Sequence, residues 1–203
     1  MSPDHTSDGP PPDGAMPDSR TPCAPSDATP WPFAIHVCSL NQLRKHAKRF
    51  EATHVVTLLE MCAKARTPSR VHPHNHLRLT FDDVEDPRHP YAPQRRHIDS
   101  LLAFGRTLPE GARVIVHCQA GQCRSTAGAL ALMVQAAGLE HAQMAMDAII
   151  AQRPSAMPNP LVVQLADDAL GASGRLLAVS EAACRSQEAR LFGPRRASLN
   201  TRP

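Results

Sequence analysis

The chain has 203 residues and a formal net charge of +3, and it is long enough for one domain with a buried core. The mild positive charge suits an anionic ligand, whereas an aromatic content of 3% is too low for a base-stacking, nucleic-acid-binding platform. No apolar run approaches the roughly 18 residues of a membrane span, so neither a membrane nor a nucleic acid is expected as a partner. Six cysteines at scattered spacing predict reduced thiols and a cytoplasmic location, with a monomer as the default state.

Both ends of the chain differ in composition from its middle. Residues 1–30 contain five aspartates against one arginine and eight of the 20 prolines, which predicts a disordered tail. Residues 174–203 contain six arginines against two glutamates, which predicts a basic, loosely ordered tail. The folded domain is therefore expected to span residues 31–173.

Between these tails, short apolar runs alternate with helical patterns, which predicts an α/β domain whose central, mostly parallel sheet is flanked by helices. The predicted strands are FAIHVC (33–38), HVVTLL (54–59), HLRLTF (76–81) and RVIVHC (113–118). Five helices are predicted. The first follows Ser39, and the second spans about 92–107 with Pro93 in its first turn. The third is TAGALALMVQAAG (126–138), the fourth spans about 141–152, and the fifth extends from Asn159 to Gly171. The third of these helices is apolar all round, so it is expected to be buried under the sheet.

The spacing Cys-x5-Arg occurs three times, beginning at Cys38, Cys118 and Cys184. After Cys38 a helix begins at once, and Cys184 lies in the polar tail with no strand before it. Only Cys118 ends a buried strand and is followed by a loop containing Gly121 and then by a helix. The match at Cys118 is therefore the one that predicts a site.

The segment that follows Cys118 has the properties of an anion-binding loop. Five residues that include Gly121 can curl so that successive backbone N–H groups point inward, and the helix start adds free donors. Arg124 offers two parallel donors to a phosphoryl group, and the same positive field favours a thiolate at Cys118. The alternative is a buried cysteine at a strand end that lies beside a surface arginine.

Three segments resemble one family of enzymes. HCQAGQCRST (117–126) resembles the His-Cys-x5-Arg-Ser/Thr signature of protein tyrosine and dual-specificity phosphatases. LRLTFDDVEDP (77–87) and RPSAMPNPLVVQLAD (153–167) resemble the acid loop and the Arg-Pro…Pro-Asn-Pro segment of a bacterial branch of that family. The resemblance covers most of residues 33–171. It implies a cysteine phosphatase fold, with the phosphate-binding loop between a central strand and a buried helix, that works without a metal or other cofactor.

The resemblance also implies a role for individual residues. Cys118 would attack phosphorus and form a phosphocysteine, and Ser125 would help the thiolate to leave in the hydrolysis step. The equatorial oxygens of the phosphoryl group would be held by Arg124 and by the backbone amides of Gln119, Ala120, Gly121, Gln122, Cys123 and Arg124. His117 would orient the loop through hydrogen bonds, and Asn159 would support it from the following helix.

The family takes the proton for the leaving group from an aspartate on an upstream loop. Asp82, Asp83 and Asp86 all follow the third predicted strand, at the edge of the sheet where Cys118 is expected. The place of Asp83 in the resembling motif makes it the first choice, with Asp86 second and Asp82 third.

Gln122 and Cys123 depart from the bacterial pattern, which usually has an aliphatic residue and a serine at these positions. The spacing Cys-x4-Cys-Arg-Ser also occurs in low-molecular-weight tyrosine phosphatases, where it implies a protective disulfide. This resemblance leads to the hypothesis of a reversible Cys118–Cys123 disulfide, and the alternative is that Cys123 is a small passive side chain.

The predicted function is hydrolysis of a phosphomonoester on a phosphorylated protein (tyrosine or dual specificity) or on a small molecule. The alternatives are a rhodanese-like sulfurtransferase, a phosphatase for inositol phosphates or phospholipids, and a phosphate-binding adaptor without catalysis. His72, His74 and His76 could form a metal site, but Pro73 interrupts a regular strand, so a polar loop is the preferred interpretation.

Overall fold

The computed structural model describes residues 29–193, and its centre is a sheet of four strands. The strands are β1 (Ala34–Ser39), β2 (His54–Leu59), β3 (His76–Thr80) and β4 (Arg113–Cys118). All pair in parallel in the order β1-β4-β2-β3, so β4 and β2 are internal. Every residue of β2 is buried, as is typical of a parallel sheet covered on both faces. The predicted parallel α/β architecture is confirmed.

Among the described residues six helices accompany the sheet, and each of the first three follows a strand. They are α1 (Leu43–Arg49), α2 (Arg95–Arg106), α3 (Arg124–Ala137), α4 (Ala142–Gln152), α5 (Pro160–Leu170) and α6 (Arg175–Phe192). Helix α2 begins later than predicted, because Gln94 is its N-terminal cap and Pro93 precedes the helix.

Helix α3 is buried from Arg124 to Val134, as the sequence predicted. Its close approach to the sheet depends on Gly128, where an added Cβ would lie 2.9 Å from a methyl carbon of Leu58. The predicted order of strand, loop and buried helix around Cys118 is therefore confirmed.

Helix α6 corrects the prediction that residues 174–203 form a loosely ordered tail. Leu176 and Ala183 are buried, and the helix packs against α4 and α5. The carboxylate of Asp167 accepts hydrogen bonds from the backbone N–H groups of Gly174 (2.6 Å) and Leu176 (2.8 Å), which fixes the start of the helix. The prediction was wrong for 175–192 because charged residues on the exposed face outnumber the few apolar residues on the buried face.

The N-terminal tail predicted for residues 1–30 falls almost entirely outside the described residues, which begin at 29, as does the end of the basic segment, 194–203. Among the helices that are described, none has the length and apolar content that a membrane crossing needs.

Candidate active site

The loop after β4 bends back so that it surrounds the sulfur of Cys118. Cys118 is 1% exposed, and its Sγ accepts a hydrogen bond from the backbone N–H of Gly121 at 3.2 Å. The hydroxyl oxygen of Ser125, in the first turn of α3, lies 3.2 Å from the same sulfur. The structure thus brings together the predicted nucleophile, a loop amide and the predicted hydroxyl.

Gly121 meets two requirements that a larger residue would not meet. Its φ of +73° lies in the left-handed region, which residues with a Cβ rarely adopt. An added Cβ would also lie 2.6 Å from the carbonyl carbon of Cys38 and 2.7 Å from the nitrogen of Ser39. The end of β1 therefore packs directly against the loop, and the N–H of Leu40 donates to the carbonyl of Gln119 (3.2 Å).

Arg153 holds the outer side of the same loop, a role that the sequence analysis did not identify. Its Nε donates to the carbonyl of Gly121 (3.0 Å) and its Nη2 to that of Ala120 (2.9 Å). A third nitrogen reaches the side chain of Gln42 at 3.3 Å. Because these carbonyls are held outward, the peptide N–H groups of the loop are free to face inward. Its position at the start of the segment RPSAMPNP (153–160) is the sequence signal from which this role could have been predicted.

The guanidinium of Arg124 lies at the carboxyl ends of two further strands. Nη1 donates to the carbonyl of Phe81 after β3 (2.9 Å), and Nη1 and Nη2 each lie 3.1 Å from Oε2 of Glu60 after β2. The side chain is 4% exposed, and its Nε has no hydrogen-bond partner among residues 29–193. This buried, unpaired donor is suited to an anion that enters the loop.

Glu60 is a second residue that the sequence analysis missed. Its own backbone N–H and the guanidinium of Arg124 hold the pKa of its carboxyl group below the ordinary value. Glu60 therefore stays charged and fixes the orientation of Arg124. The only sequence signal is that it is the first charged residue after β2, at the same edge of the sheet as Cys118.

Asp83 is the acid-loop aspartate that the structure brings to Arg124. Its Oδ2 lies 3.6 Å from Nε of Arg124, and its Oδ1 accepts a hydrogen bond from the side-chain amide of Asn159 at 2.9 Å. Asn159 also caps α5 by accepting from the N–H of Val162 (3.0 Å), and its own N–H donates to the carbonyl of Cys123 (3.3 Å). Asn159 therefore connects the loop after β3, the loop after β4 and α5.

The other two aspartates have different surroundings. Asp86 is exposed, and its carboxylate accepts from Nε and Nη2 of Arg88, each at 2.9 Å. These hydrogen bonds from Arg88 lower the pKa of Asp86, which makes it a poor proton donor. Asp82 uses its backbone N–H to bind the carbonyl of Tyr91, and its carboxylate forms no ion pair with the residues that the structure describes.

Cys123 lies beside Asp83 and close to Cys118. Burial and the Asp83 carboxylate raise the pKa of the Cys123 thiol to about 12, and the charge of Cys118 acts in the same direction. Cys38, at the end of β1, also has its pKa raised to about 12 by burial, and Cys118 contributes to that shift as well. Two protonated thiols thus flank the candidate nucleophile.

Gln122, the other residue that departs from the bacterial pattern, turns away from Cys118, and its side-chain amide donates to the hydroxyl of Ser155 at 3.0 Å.

His117 begins a buried polar chain that runs across the sheet from β4 to β3. Its Nε2 lies 2.6 Å from the hydroxyl of Thr57, which lies 2.7 Å from Nε2 of His76. Nδ1 of His76 lies 2.9 Å from the hydroxyl of Thr67. Burial lowers the pKa values of both His117 and His76 to about 4, so both rings are neutral near pH 7. These contacts suit His117 for positioning rather than proton transfer.

The histidine-rich segment before β3 does not form a cluster. His72 and His74 stack on each other at 5.1 Å between ring centroids, whereas His76 is turned into the buried polar chain. In the part of the chain that the structure describes, no three His, Cys, Asp or Glu side chains are grouped so that they could hold a metal ion.

No family model matches the sequence, and no curated protein matches it either. Solved structures do match. DUSP15 is 19% identical with a TM-score of 0.51, over 82% of this chain and 97% of that one. A mouse protein described as a dual specificity phosphatase, complexed with zinc tungstate, is 18% identical with a TM-score of 0.52, over 78% of this chain and 98% of that one. The Cydia pomonella PTP-2 phosphatase is 16% identical with a TM-score of 0.50, over 66% of this chain and 84% of that one. These structural superpositions show a shared fold, and at identities this low they show the fold alone.

Proposed function

We propose that this chain, which has the fold of the dual-specificity phosphatases, hydrolyses phosphomonoesters through a phosphocysteine on Cys118. The observation that carries the proposal is the convergence of four groups at one edge of the sheet. These are the enclosed sulfur of Cys118, the Ser125 hydroxyl 3.2 Å from it, the unpaired Nε of Arg124, and the Asp83 carboxylate 3.6 Å from that Nε.

In the first step the thiolate of Cys118 attacks phosphorus while the bond from phosphorus to the leaving oxygen breaks. The loop amides and Nε of Arg124 bind the equatorial oxygens and stabilise the charge of the transition state. The leaving oxygen takes a proton from Asp83. A phosphoryl group that binds Nε of Arg124 competes with the Asp83 carboxylate for that donor.

In the second step water attacks phosphorus, the bond from phosphorus to sulfur breaks, and the thiolate leaves. The hydroxyl of Ser125 donates a hydrogen bond to the departing sulfur, and Asp83, now a carboxylate, accepts a proton from the water. Sulfur transfer of the rhodanese type would require neither of these groups, so their positions support phosphoryl transfer over that alternative.

The test of this proposal is hydrolysis of para-nitrophenyl phosphate, with chelator present, by the wild type and by Cys118→Ser. We expect the substitution to lower the turnover number by about 10³-fold or more, because a hydroxyl in this loop is a far weaker nucleophile than a thiolate. The matched control is Cys184→Ser on α6, which should retain wild-type turnover. Activity that survives in Cys118→Ser, or thiosulfate consumption without phosphatase activity, would contradict the proposal.

A further inference from the structure

A basic groove with a volume of about 680 Å³ lies between α1 and the segment 64–71. Its polar lining includes five cationic side chains, namely Arg44, Lys48, Lys64, Arg66 and Arg70, and no aspartate or glutamate. We call this feature the basic groove. All five cations are exposed, so their charged ends are available to a ligand in solution.

The positive charge of the basic groove is largely unneutralised. Arg70 lies 3.9 Å from the carboxylate of Glu51, but the other four cations form no ion pair with the described residues. On the other side of the same segment, a second cavity of about 370 Å³ is lined by Lys64 and Arg66 together with Arg78 of β3. Several like charges around one surface create a potential that attracts an anionic partner.

Both walls of the basic groove begin at the candidate active site. Leu40, which lines one wall, donates its N–H to the carbonyl of Gln119, the residue after the nucleophile. The other wall starts four residues after Glu60, which binds the guanidinium of Arg124. A ligand with one phosphoryl group at Cys118 can therefore extend toward the groove.

The remainder of the lining is apolar, and this indicates what kind of anion fits. Leu43, Ala47 and Val71 form a buried apolar floor beneath the cations. An inositol polyphosphate is polar on every face, so it has no apolar group that could cover this floor, which would stay in contact with water or phosphate. A peptide can place acidic side chains on the cations and apolar side chains on the floor.

We infer that the basic groove binds the acidic and apolar residues that flank the phosphorylated residue of a protein substrate. This inference rests on the proposed phosphatase function, since it names the substrate class of the same site. It assigns Arg44, Lys48, Lys64 and Arg66 to substrate binding and gives none of them a chemical step.

The test measures binding of fluorescent peptides to the full chain carrying Cys118→Ser, which prevents turnover. One peptide carries a phosphotyrosine flanked by glutamates and leucines, a second has glutamines in place of the glutamates, and a third is the glutamate peptide without phosphate. The groove variant Lys48→Glu/Arg66→Glu is compared with Arg106→Glu/Arg175→Glu, which changes the net charge equally at exposed positions on α2 and α6.

We expect the groove variant to bind both glutamate peptides about tenfold more weakly, which corresponds to about 1.4 kcal/mol. The glutamine peptide should bind weakly to all proteins, and the control variant should match the parent. The non-phosphorylated peptide makes the result independent of phosphatase chemistry, so that a failure of the proposed function is seen separately, in the turnover assay of Cys118→Ser.

Equal weakening by the groove variant and its control would overturn the inference, because it would show a general effect of net charge. Equal affinity for the glutamate and glutamine peptides would also overturn it. Inositol hexakisphosphate and vesicles containing phosphoinositides are tested in parallel. If the groove variant loses affinity for these ligands and not for the peptides, the inference of a protein substrate is wrong. Urea unfolding of each variant shows whether it remains folded.

Discussion

The side chain of Asp83 shows how much of the site depends on single contacts. Its position is set by the amide of Asn159 on one oxygen and by the guanidinium of Arg124 near the other. Asp86, three residues later, is held on the surface by Arg88. Sequence order could suggest Asp83 only through the resembling motif, because all three aspartates follow the same strand. The distinction between them comes from tertiary contacts.

Substitution of the two aspartates tests this distinction. We expect Asp83→Asn to lower the turnover number about 10²-fold or more with phenyl phosphate, and less with para-nitrophenyl phosphate, whose leaving group needs less protonation. The matched variant Asp86→Asn should stay within about twofold of the wild type, since among residues 29–193 its carboxylate binds only Arg88. A larger loss in Asp86→Asn, or an equal loss of Asp83→Asn on both substrates, would count against Asp83 as the proton donor.

Cys123 allows a prediction about oxidation. Peroxide converts the Cys118 thiolate to a sulfenic acid, and attack by a neighbouring thiol then forms a disulfide and releases water. If Cys123 supplies that thiol, wild-type activity should return fully with dithiothreitol, and a thiol count should show two thiols lost. In Cys123→Ser no thiol traps the sulfenic acid, so a second equivalent of peroxide oxidises it to a sulfinic acid that dithiothreitol does not reduce, and activity should be lost irreversibly.

The control for this experiment is Cys38→Ser, because Cys38 is a second thiol whose pKa is influenced by Cys118. It should behave as the wild type. Protection that is lost in Cys38→Ser and kept in Cys123→Ser would assign the pairing to Cys38 and refute the hypothesis for Cys123.

Helices and strands were predicted correctly where the apolar pattern of their own residues indicates burial. Strands β2 and β4 were located correctly because burial on both faces produces continuous apolar runs, HVVTLL and RVIVHC. Helix α3 was predicted for the same reason. Helix α6 was not predicted, because its buried face combines Leu176 and Ala183 with the polar residues Ser180 and Gln187 and therefore shows no continuous apolar stripe. Glu60 and Arg153 were missed because each acts through a tertiary contact with residues distant in sequence, Glu60 with the guanidinium of Arg124 and Arg153 with the carbonyls of the loop after β4.

The contribution of α6 to stability can be measured with one buried side chain. We expect Leu176→Ala to lower the free energy of unfolding by about 2–4 kcal/mol, because Leu176 is fully buried and its truncation leaves a cavity. Arg185→Ala, on the exposed face of the same helix, should change it by less than about 0.5 kcal/mol. Urea unfolding at pH 7.5 measures both. Equal stability of Leu176→Ala and the wild type would mean that α6 is not part of the cooperative unit.

Across the whole molecule, neutral histidines that are buried or half-buried link stability to pH. His36, His76 and His117 each have a pKa lowered to about 4, chiefly by burial. Near pH 6 the unfolded chain protonates these rings at their ordinary value of about 6.5, whereas the folded chain does not. Their contribution to stability is therefore complete above pH 6.5 and is lost as the pH falls toward 4.

We expect the free energy of unfolding to decrease between pH 7.5 and pH 5, a range above the ordinary titration of most carboxylates. His76→Gln should show a smaller decrease, because an amide can hydrogen-bond to Thr57 but does not titrate. His74→Gln, at an exposed position, is the control and should keep the slope of the wild type. Identical slopes for all three proteins would show that His76 is not a source of the pH dependence.

Because all four strands run in the same direction, one end of the molecule carries none of the candidate catalytic groups. Every group assigned to chemistry lies where the strands finish, so the turn that enters β4, with Glu110 exposed and Gly111 at a φ of +73°, lies at the opposite rim. A dye, an affinity tag or a short inserted peptide attached at Glu110 would stay clear of the reacting atoms. That rim is therefore a suitable attachment point for immobilising the protein while candidate ligands are tested.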